Sequence, residues 1–103
     1  MAKNDYAVQL GRAWALHREG RNELAIDEYN QLLRETPDHI DALYGLALAQ
    51  RSAQLIDDAR QTFERCLTLV NEALDQNPGE DRYEMMQRLI QQRLAEIGSL
   101  YPQ

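Results

Sequence analysis

Residues 11–33 read GRAWALHREGRNELAIDEYNQLL, and residues 45–67 read GLALAQRSAQLIDDARQTFERCL. Placing the first stretch on the second aligns small residues with small ones and large apolar residues with large apolar ones. The aligned pairs are Gly11 and Gly45, Ala13 and Ala47, Ala15 and Ala49, Ala25 and Ala59, Tyr29 and Phe63, and Leu33 and Leu67. A fixed period of about 34 residues is typical of a stacked array of helical hairpins.

The bulk composition agrees with a helical domain. The chain has 103 residues, which is enough for one domain with one modest core. Val, Ile, Phe and Tyr are scarce beside Ala, Leu, Gln, Glu and Arg, and this balance favours helix over strand. We therefore predict an all-α fold of about five helices.

The first hairpin is bounded by capping and turn signals. Asn4 or Asp5 can cap its first helix with a side-chain oxygen. Gly20 supplies the turn, because glycine adopts a left-handed backbone without steric cost. Pro37 ends the second helix, since the residue before a proline avoids helical angles. The two helices are predicted at about 5–18 and 22–35.

The second hairpin follows the same plan with a longer second helix. Asp38 is predicted to cap helix three, which fades near Ser52. An irregular turn at 53–55 replaces the turn that carries a glycine in the first copy. The distance along the chain from Pro37 to Pro78 exceeds the period by about two helical turns. We therefore predict that helix four is two turns longer than helix two.

A fifth helix is predicted over about 80–97, ended by Gly98 and Ser99. Its apolar stripe is Tyr83, Met86, Ile90, Leu94 and Ile97. The last unit of a stacked array needs a helix that covers its apolar side and shows a polar face to water. Helix five fits this capping function, and the alternative is that it begins a third repeat.

The repeats resemble the tetratricopeptide repeat family. Ala25, Tyr29 and Pro37 match the alanine, aromatic and proline positions of its second half, and Ala59 and Phe63 match the first two again. The match covers roughly residues 6–71. The resemblance implies a right-handed solenoid of helical hairpins. It implies a single domain over 1–103, with repeat one at about 6–37, repeat two at about 40–77 and a capping helix at 80–98.

In that family the first helix of each repeat lines a concave groove that holds an extended peptide or a partner helix. The resemblance and the register of the repeats imply a groove whose centre is apolar and whose rim carries most of the charge. Aromatic, methionine and arginine residues are the types enriched in interfaces. Alternatively, Trp14 and Tyr44 pack against each other and against helix five. The implied groove residues are Leu10, Trp14, His17, Arg18, Asp41, Tyr44, Leu48, Arg51, Met85 and Leu89.

The functional expectation is a non-catalytic module that binds a protein or peptide partner in this groove. The alternative is a self-associating structural protein, a possible homodimer, that uses its C-terminal helices as the interface. His17 and His39 are the only histidines and fall on different elements, so neither has a partner for acid–base or metal chemistry. We therefore expect no enzyme activity and no cofactor or metal.

Charge and hydropathy bear on the class of partner and on the compartment. The net charge is −6, which argues against nucleic acid because a basic face is the usual footprint of such binding. No apolar run approaches the length that spans a bilayer, and the N-terminus lacks an apolar signal core. The single cysteine, Cys66, falls on an apolar stripe and is expected to be a buried, reduced thiol. A cytoplasmic location is the expectation.

Overall fold

Five α-helices make up residues 3–102, the part of the chain that the computed structural model describes. No strand occurs within this range, and the all-α prediction is confirmed. Helix α4 has 21 residues and α2 has 14, so the predicted extension of two turns is present. The helices are α1 Lys3–Arg18, α2 Asn22–Glu35, α3 Ile40–Ser52, α4 Ile56–Gln76 and α5 Asp81–Leu100.

The helices form two stacked hairpins and a final covering helix. Each helix packs against the next one along the chain, and α1 also contacts α3. One apolar cluster joins α1, α2 and α3, and a second joins α3, α4 and α5. Leu33 packs against both clusters, so the core is continuous across the two hairpins.

Small residues allow the helices within each hairpin to approach closely. Ala13 and Ala25 in the first hairpin and Ala47 and Ala59 in the second are all fully buried. A short side chain at these sites lets the ridges of one helix enter the grooves of the other. The aromatic residues at the matched positions 29 and 63 are buried as well, so the repeated pairs do form the core.

The two hairpin turns share one backbone geometry although their sequences differ. Gly20 has φ +82°, and its repeat equivalent Gln54 has φ +66°. The same two backbone bonds close each turn. In the first turn, Gly20 N–H donates to His17 O at 3.0 Å and Arg21 N–H donates to Leu16 O at 2.9 Å. In the second turn, Gln54 N–H donates to Arg51 O at 3.0 Å and Leu55 N–H donates to Gln50 O at 2.9 Å. The prediction that the second turn is irregular was therefore wrong.

Two predicted caps differ from the structure. Helix α1 already includes Asn4 and Asp5, so neither residue caps it. His39 rather than Asp38 precedes the first residue of α3, and its Nδ1 accepts a hydrogen bond from Ala42 N–H at 3.2 Å. The Asp38 carboxylate instead accepts a 2.8 Å hydrogen bond from Arg65 Nη2 on α4.

Helix α5 continues through Gly98 and Ser99 to Leu100, beyond its predicted end at residue 97. One glycine in a helix costs about 1 kcal/mol relative to alanine, which neighbouring contacts can offset. Tyr101, the residue that directly follows α5, makes such contacts. Its carbonyl oxygen accepts a 3.1 Å hydrogen bond from Arg60 Nη2, and its hydroxyl donates a 3.2 Å bond to Gln54 Oε1.

Cys66 is a free thiol that is fully buried on α4. Its Sγ donates a hydrogen bond to Ile40 O at 3.5 Å. Burial, together with the nearby Asp41 carboxylate, raises the pKa of the thiol to about 12. The thiol therefore stays protonated and contributes to packing, as its position on the apolar stripe predicts.

Candidate functional site

An apolar groove runs between α1 and α3 on the side of the array where these two helices meet. It encloses about 420 Å³. Four of the ten predicted groove residues line it: Leu10 and Trp14 from α1, and Asp41 and Tyr44 from α3. The complete lining is Ala7, Leu10, Gly11, Trp14, Tyr29, Asp41, Tyr44, Gly45 and Met86.

Tyr29 of α2 and Gly45 of α3 form the floor of the groove. A Cβ atom built on Gly45 would lie 2.5 Å from Tyr29 Oη and 2.6 Å from its Cε1, so the ring occupies the space that a side chain would take. Burial raises the pKa of Tyr29 to about 12. None of the residues in the range 3–102 forms a hydrogen bond with this hydroxyl, which is therefore a neutral polar group in an apolar floor.

Trp14 is the most exposed large side chain of the groove, with 44% of its surface accessible. Its indole meets the His17 ring edge to face, with centroids 5.5 Å apart. His17 Nε2 forms a 2.9 Å hydrogen bond with Ser52 Oγ and so links the ends of α1 and α3. Burial, and then the charge of Arg51, lowers the pKa of His17. The imidazole is therefore neutral near pH 7.

The predicted rim arginine on α3, Arg51, belongs to a network that joins α3 to α5. Its Nη1 lies 3.4 Å from Glu96 Oε1. Arg93 holds the same carboxylate with two bonds, Nε to Oε1 at 2.7 Å and Nη2 to Oε2 at 3.0 Å. The hydrogen bond with Glu96 is the main cause that raises the pKa of Arg93. Two guanidinium groups share one carboxylate here, so the network of Arg51, Arg93 and Glu96 is itself positively charged.

At the opposite end of the groove, Asp41 pairs with Arg82 of α5. Arg82 Nη2 donates a hydrogen bond to Asp41 Oδ2 at 3.0 Å, and its guanidinium also lies over the Tyr83 ring, 5.5 Å from the centroid. Tyr44, between these two ends, packs edge to face on Phe63 with centroids 5.9 Å apart. Its ring thus joins the groove wall to the buried core.

The structure places the other predicted groove residues outside the groove. Leu48 is only 8% exposed and belongs to the core cluster of the second hairpin, because α5 covers α3 there. Leu89 packs partly buried against the same cluster. Met85 is 51% exposed without lining the groove, and its neighbour Met86 takes that place. Arg18 is exposed at the end of α1, beside Glu19.

Five lining residues were missed, and the sequence held a signal for most of them. Ala7 and Gly11 lie three or four positions from Leu10 and Trp14, so helical periodicity places them on the same face. Gly45 is the repeat equivalent of Gly11. Tyr29 is the repeat equivalent of Phe63, and nothing in the pattern showed that it also forms the groove floor. Met86 could not be distinguished from Met85 without the tilt of α5.

A family model described as tetratricopeptide repeat matches the chain over residues 2–40 and 10–81. This chain belongs to the tetratricopeptide repeat family. No curated protein and no solved structure gives a significant match. Tetratricopeptide repeats are generally protein–protein interaction modules and are typically non-catalytic scaffolds. Protein partners are therefore the expected class of ligand.

Two further findings describe the surface of residues 3–102. Within that range, no helix combines the length and the apolar character needed to cross a membrane. The same range holds no group of three or more His, Cys, Asp or Glu side chains arranged to bind a metal ion. On α5, one of the C-terminal helices that the alternative hypothesis assigns to an oligomer interface, Tyr83, Met86 and Ile90 pack within the core cluster of their own chain.

Proposed function

We propose that this tetratricopeptide repeat protein binds an apolar segment of a partner protein in the groove between α1 and α3. The observation that carries the proposal is the half-exposed indole of Trp14 above an apolar, concave lining. Exposed tryptophan and tyrosine side chains in concave sites supply much of the binding energy at protein interfaces. The groove is open and small, which suits an extended peptide or one face of a helix.

Polar groups around the groove would orient such a segment. The Tyr29 hydroxyl on the floor can donate a hydrogen bond to a backbone carbonyl of the ligand or accept one from a backbone N–H. The positive Arg51, Arg93 and Glu96 network lies towards one end, and the neutral Asp41–Arg82 pair lies at the other. This difference in charge gives a bound segment a preferred direction, because complementary charge favours one register over its reverse.

We further propose that the two hairpins and α5 act together as one non-catalytic domain over residues 1–103, and that it works in the cytoplasm. The shared core through Leu33 supports the single domain. The neutral His17 imidazole bonds to Ser52, and the Cys66 thiol has a raised pKa, so neither group is prepared for acid–base or nucleophilic chemistry. A buried thiol with no second cysteine in the sequence suits a reducing compartment.

Peptide selection tests the groove directly. Short peptides would be selected from a random display library on the intact protein, and their dissociation constants measured by calorimetry. We expect Trp14→Ala and Tyr44→Ala to weaken binding at least tenfold, since each removes an aromatic wall of the groove. Leu24→Ala is the matched control, because Leu24 is 45% exposed on α2 outside the groove. Peptides that bind all three variants as tightly as the wild type would show that they bind elsewhere.

A further inference from the structure

One face of α1 consists of the repeat equivalents of residues that a neighbouring helix covers on α3 and on α5. On α3 the covered face consists of Ala42, Gly45, Leu46 and Ala49. Its equivalents on α5, counted with the two extra turns of α4, are Tyr83, Met86, Gln87 and Ile90. Its equivalents on α1, one repeat earlier, are Val8, Gly11, Arg12 and Ala15, here called the α1 edge face.

The face on α3 is covered by α2. Ala42 and Ala49 are fully buried and Leu46 is 5% exposed. The ring of Tyr29 fills the space beside Gly45, as the contact of 2.5 Å to a hypothetical Cβ shows. The second helix of the first hairpin therefore covers this surface, and a tyrosine is its central contact.

The face on α5 is covered in the same way by α4. Met86 is 8% exposed and Ile90 is fully buried, in one cluster with Phe63 of α4. Gln87 Nε2 donates a 2.8 Å hydrogen bond to Asn71 Oδ1 of α4. Two of the three equivalent faces are thus each covered by the amphipathic helix that precedes it. On α3 the central contact is Tyr29 of α2, four positions before Leu33. On α5 the contact is made by the last turns of α4, around Asn71.

No helix among residues 3–102 covers the α1 edge face. Val8 is 60% exposed, and Gly11 and Ala15 are exposed. A Cβ built on Gly11 would meet nothing within 4 Å, whereas the one on Gly45 would collide with Tyr29. The space that an aromatic ring fills beside Gly45 is therefore open beside Gly11.

We propose that the α1 edge face binds a helix of a partner protein, with an aromatic residue four positions before a leucine. The aromatic ring packs on Gly11 as Tyr29 packs on Gly45, and the leucine packs near Val8, the equivalent of Ala42. The geometry is the one that this chain uses between α2 and α3. This surface is separate in function from the groove, although Gly11 borders both.

The charges of the helices favour an acidic occupant. Both helices that cover such a face are acidic: α2 has four acids and one base, and α4 has five acids and two bases. Helix α1 has three bases and one acid. Arg12 stands where α3 has Leu46, and its side chain is 58% exposed with only a 3.7 Å contact to Glu28. An acidic helix thus supplies partners for Arg12 that an apolar or basic helix does not.

A second copy of this chain fits the face less well than a partner does. Its own covering helices, α2 and α4, already have their apolar stripes buried. Two α1 edge faces brought together would oppose their two Arg12 side chains, and like charges at close range are unfavourable. The copy's remaining long edge is on α5, where exposed Arg88, Gln91 and Ala95 make a mostly polar surface.

A peptide copy of α2 is the most direct probe. The peptide covers residues 22–35, with a hydrocarbon staple between positions 30 and 34, which are exposed in α2. Calorimetry with the intact protein is expected to show one-to-one binding. Ala15→Glu should weaken it at least tenfold, because it adds bulk and negative charge to the face. Ala95→Glu, the same change on the polar edge of α5, should leave the dissociation constant within twofold.

Three outcomes would overturn the proposal. The first is no binding at millimolar peptide, or binding that survives Tyr29→Ala in the peptide. The second is binding that Tyr44→Ala abolishes and Ala15→Glu does not, since that places the peptide in the groove. The third is a dimer of the wild-type protein by light scattering that Ala15→Glu dissociates, because a second copy is then the occupant.

Discussion

The two hairpins share one backbone plan but differ in how many neighbours cover them. The second hairpin lies between α2 and α5, whereas the first has a neighbouring helix on only one side within the described part of the chain. Equivalent residues therefore have different surroundings. Trp14 is 44% exposed and its equivalent Leu48 is 8% exposed. Gly11 borders open space, and Gly45 is in contact with a tyrosine ring.

This difference shows that the repeat pattern determines which way a side chain faces. The neighbouring helix determines whether that side chain is buried or exposed. A groove-facing position in a longer array becomes a core position when the next helix covers it, as at Leu48. The uncovered first hairpin consequently holds both candidate binding surfaces of the molecule, the groove beside Trp14 and the α1 edge face. Four experiments test this contrast, starting with the one of largest expected effect.

Phe63→Ala should remove about 3–5 kcal/mol from the free energy of unfolding, because it empties a fully buried aromatic site. A domain of this size has a total of only about 5–15 kcal/mol, so the variant should be largely unfolded or melt far below the wild type. Urea unfolding followed by circular dichroism measures the change. Leu24→Ala on the exposed part of the first hairpin should stay within about 0.5 kcal/mol of the wild type. Equal losses from both variants would mean that the second hairpin is not the more buried one.

Gly45→Ala and Gly11→Ala should change stability in opposite directions. At position 45 the new methyl group collides with Tyr29, and overpacking costs about 1–3 kcal/mol, which exceeds the gain in helix propensity. At position 11 the methyl group meets nothing within 4 Å, so the free energy of unfolding should rise by about 1 kcal/mol. Denaturant unfolding of the two variants side by side provides the measurement. Changes of the same sign would contradict the open space beside Gly11.

Substitutions at the two turn positions, Gly20→Ala and Gln54→Gly, should change the free energy of unfolding in opposite directions. Gly20→Ala places a side chain at φ +82° and should lower the free energy of unfolding by about 1 kcal/mol. Gln54→Gly relieves the same strain at φ +66° and should raise it by about 0.5–1 kcal/mol, although the bond from the Tyr101 hydroxyl is lost. Thermal melts of both variants measure the two shifts. A Gln54→Gly variant less stable than the wild type would show that the Tyr101 bond outweighs the backbone strain.

The smallest expected effect is a pH dependence from His17. Its pKa is lowered in the folded state by burial and by Arg51, so the unfolded chain binds the proton more readily. Stability should therefore fall as the pH drops below about 6.5, the ordinary pKa of histidine, and should be unaffected above it. NMR titration of the ring gives the pKa, and melts across this pH range give the linked change. In His17→Gln the fall in stability with decreasing pH should be smaller. An unchanged fall would assign the effect to other titratable groups.

The fold was largely predictable because its determinants are local and repeated. Ala25, Tyr29 and Pro37, with Ala59 and Phe63 in the second copy, identified the hairpins. The spacing of Pro37 and Pro78 identified the longer α4. The errors occurred where tertiary contacts override local preference. Gly98 and Ser99 do not end α5, because Arg60 and Gln54 hold Tyr101 beyond them. Gln54 adopts the backbone of a glycine, because the hairpin requires that turn.

The groove was predictable only in part. The register brought Leu10, Trp14, Asp41 and Tyr44 to one surface, since these positions depend on helical periodicity alone. It could not show that α5 buries Leu48, because that depends on how α5 tilts across α3. The α1 edge face was not recognised from the sequence for a similar reason. Val8 and Ala15 look like ordinary helix residues until the covered faces on α3 and α5 are compared with them.

The extension of α4 has a consequence for how the molecule opens. Arg65 and Cys66 lie beside Asp38 and Ile40, where α3 begins, so α4 continues for about three turns past the end of its antiparallel neighbour. This projecting tip is supported chiefly by the first turns of α5. Amide protons near the end of α4 should exchange with deuterium through local fraying. They should exchange well before the amide protons around Phe63, which exchange only on global unfolding.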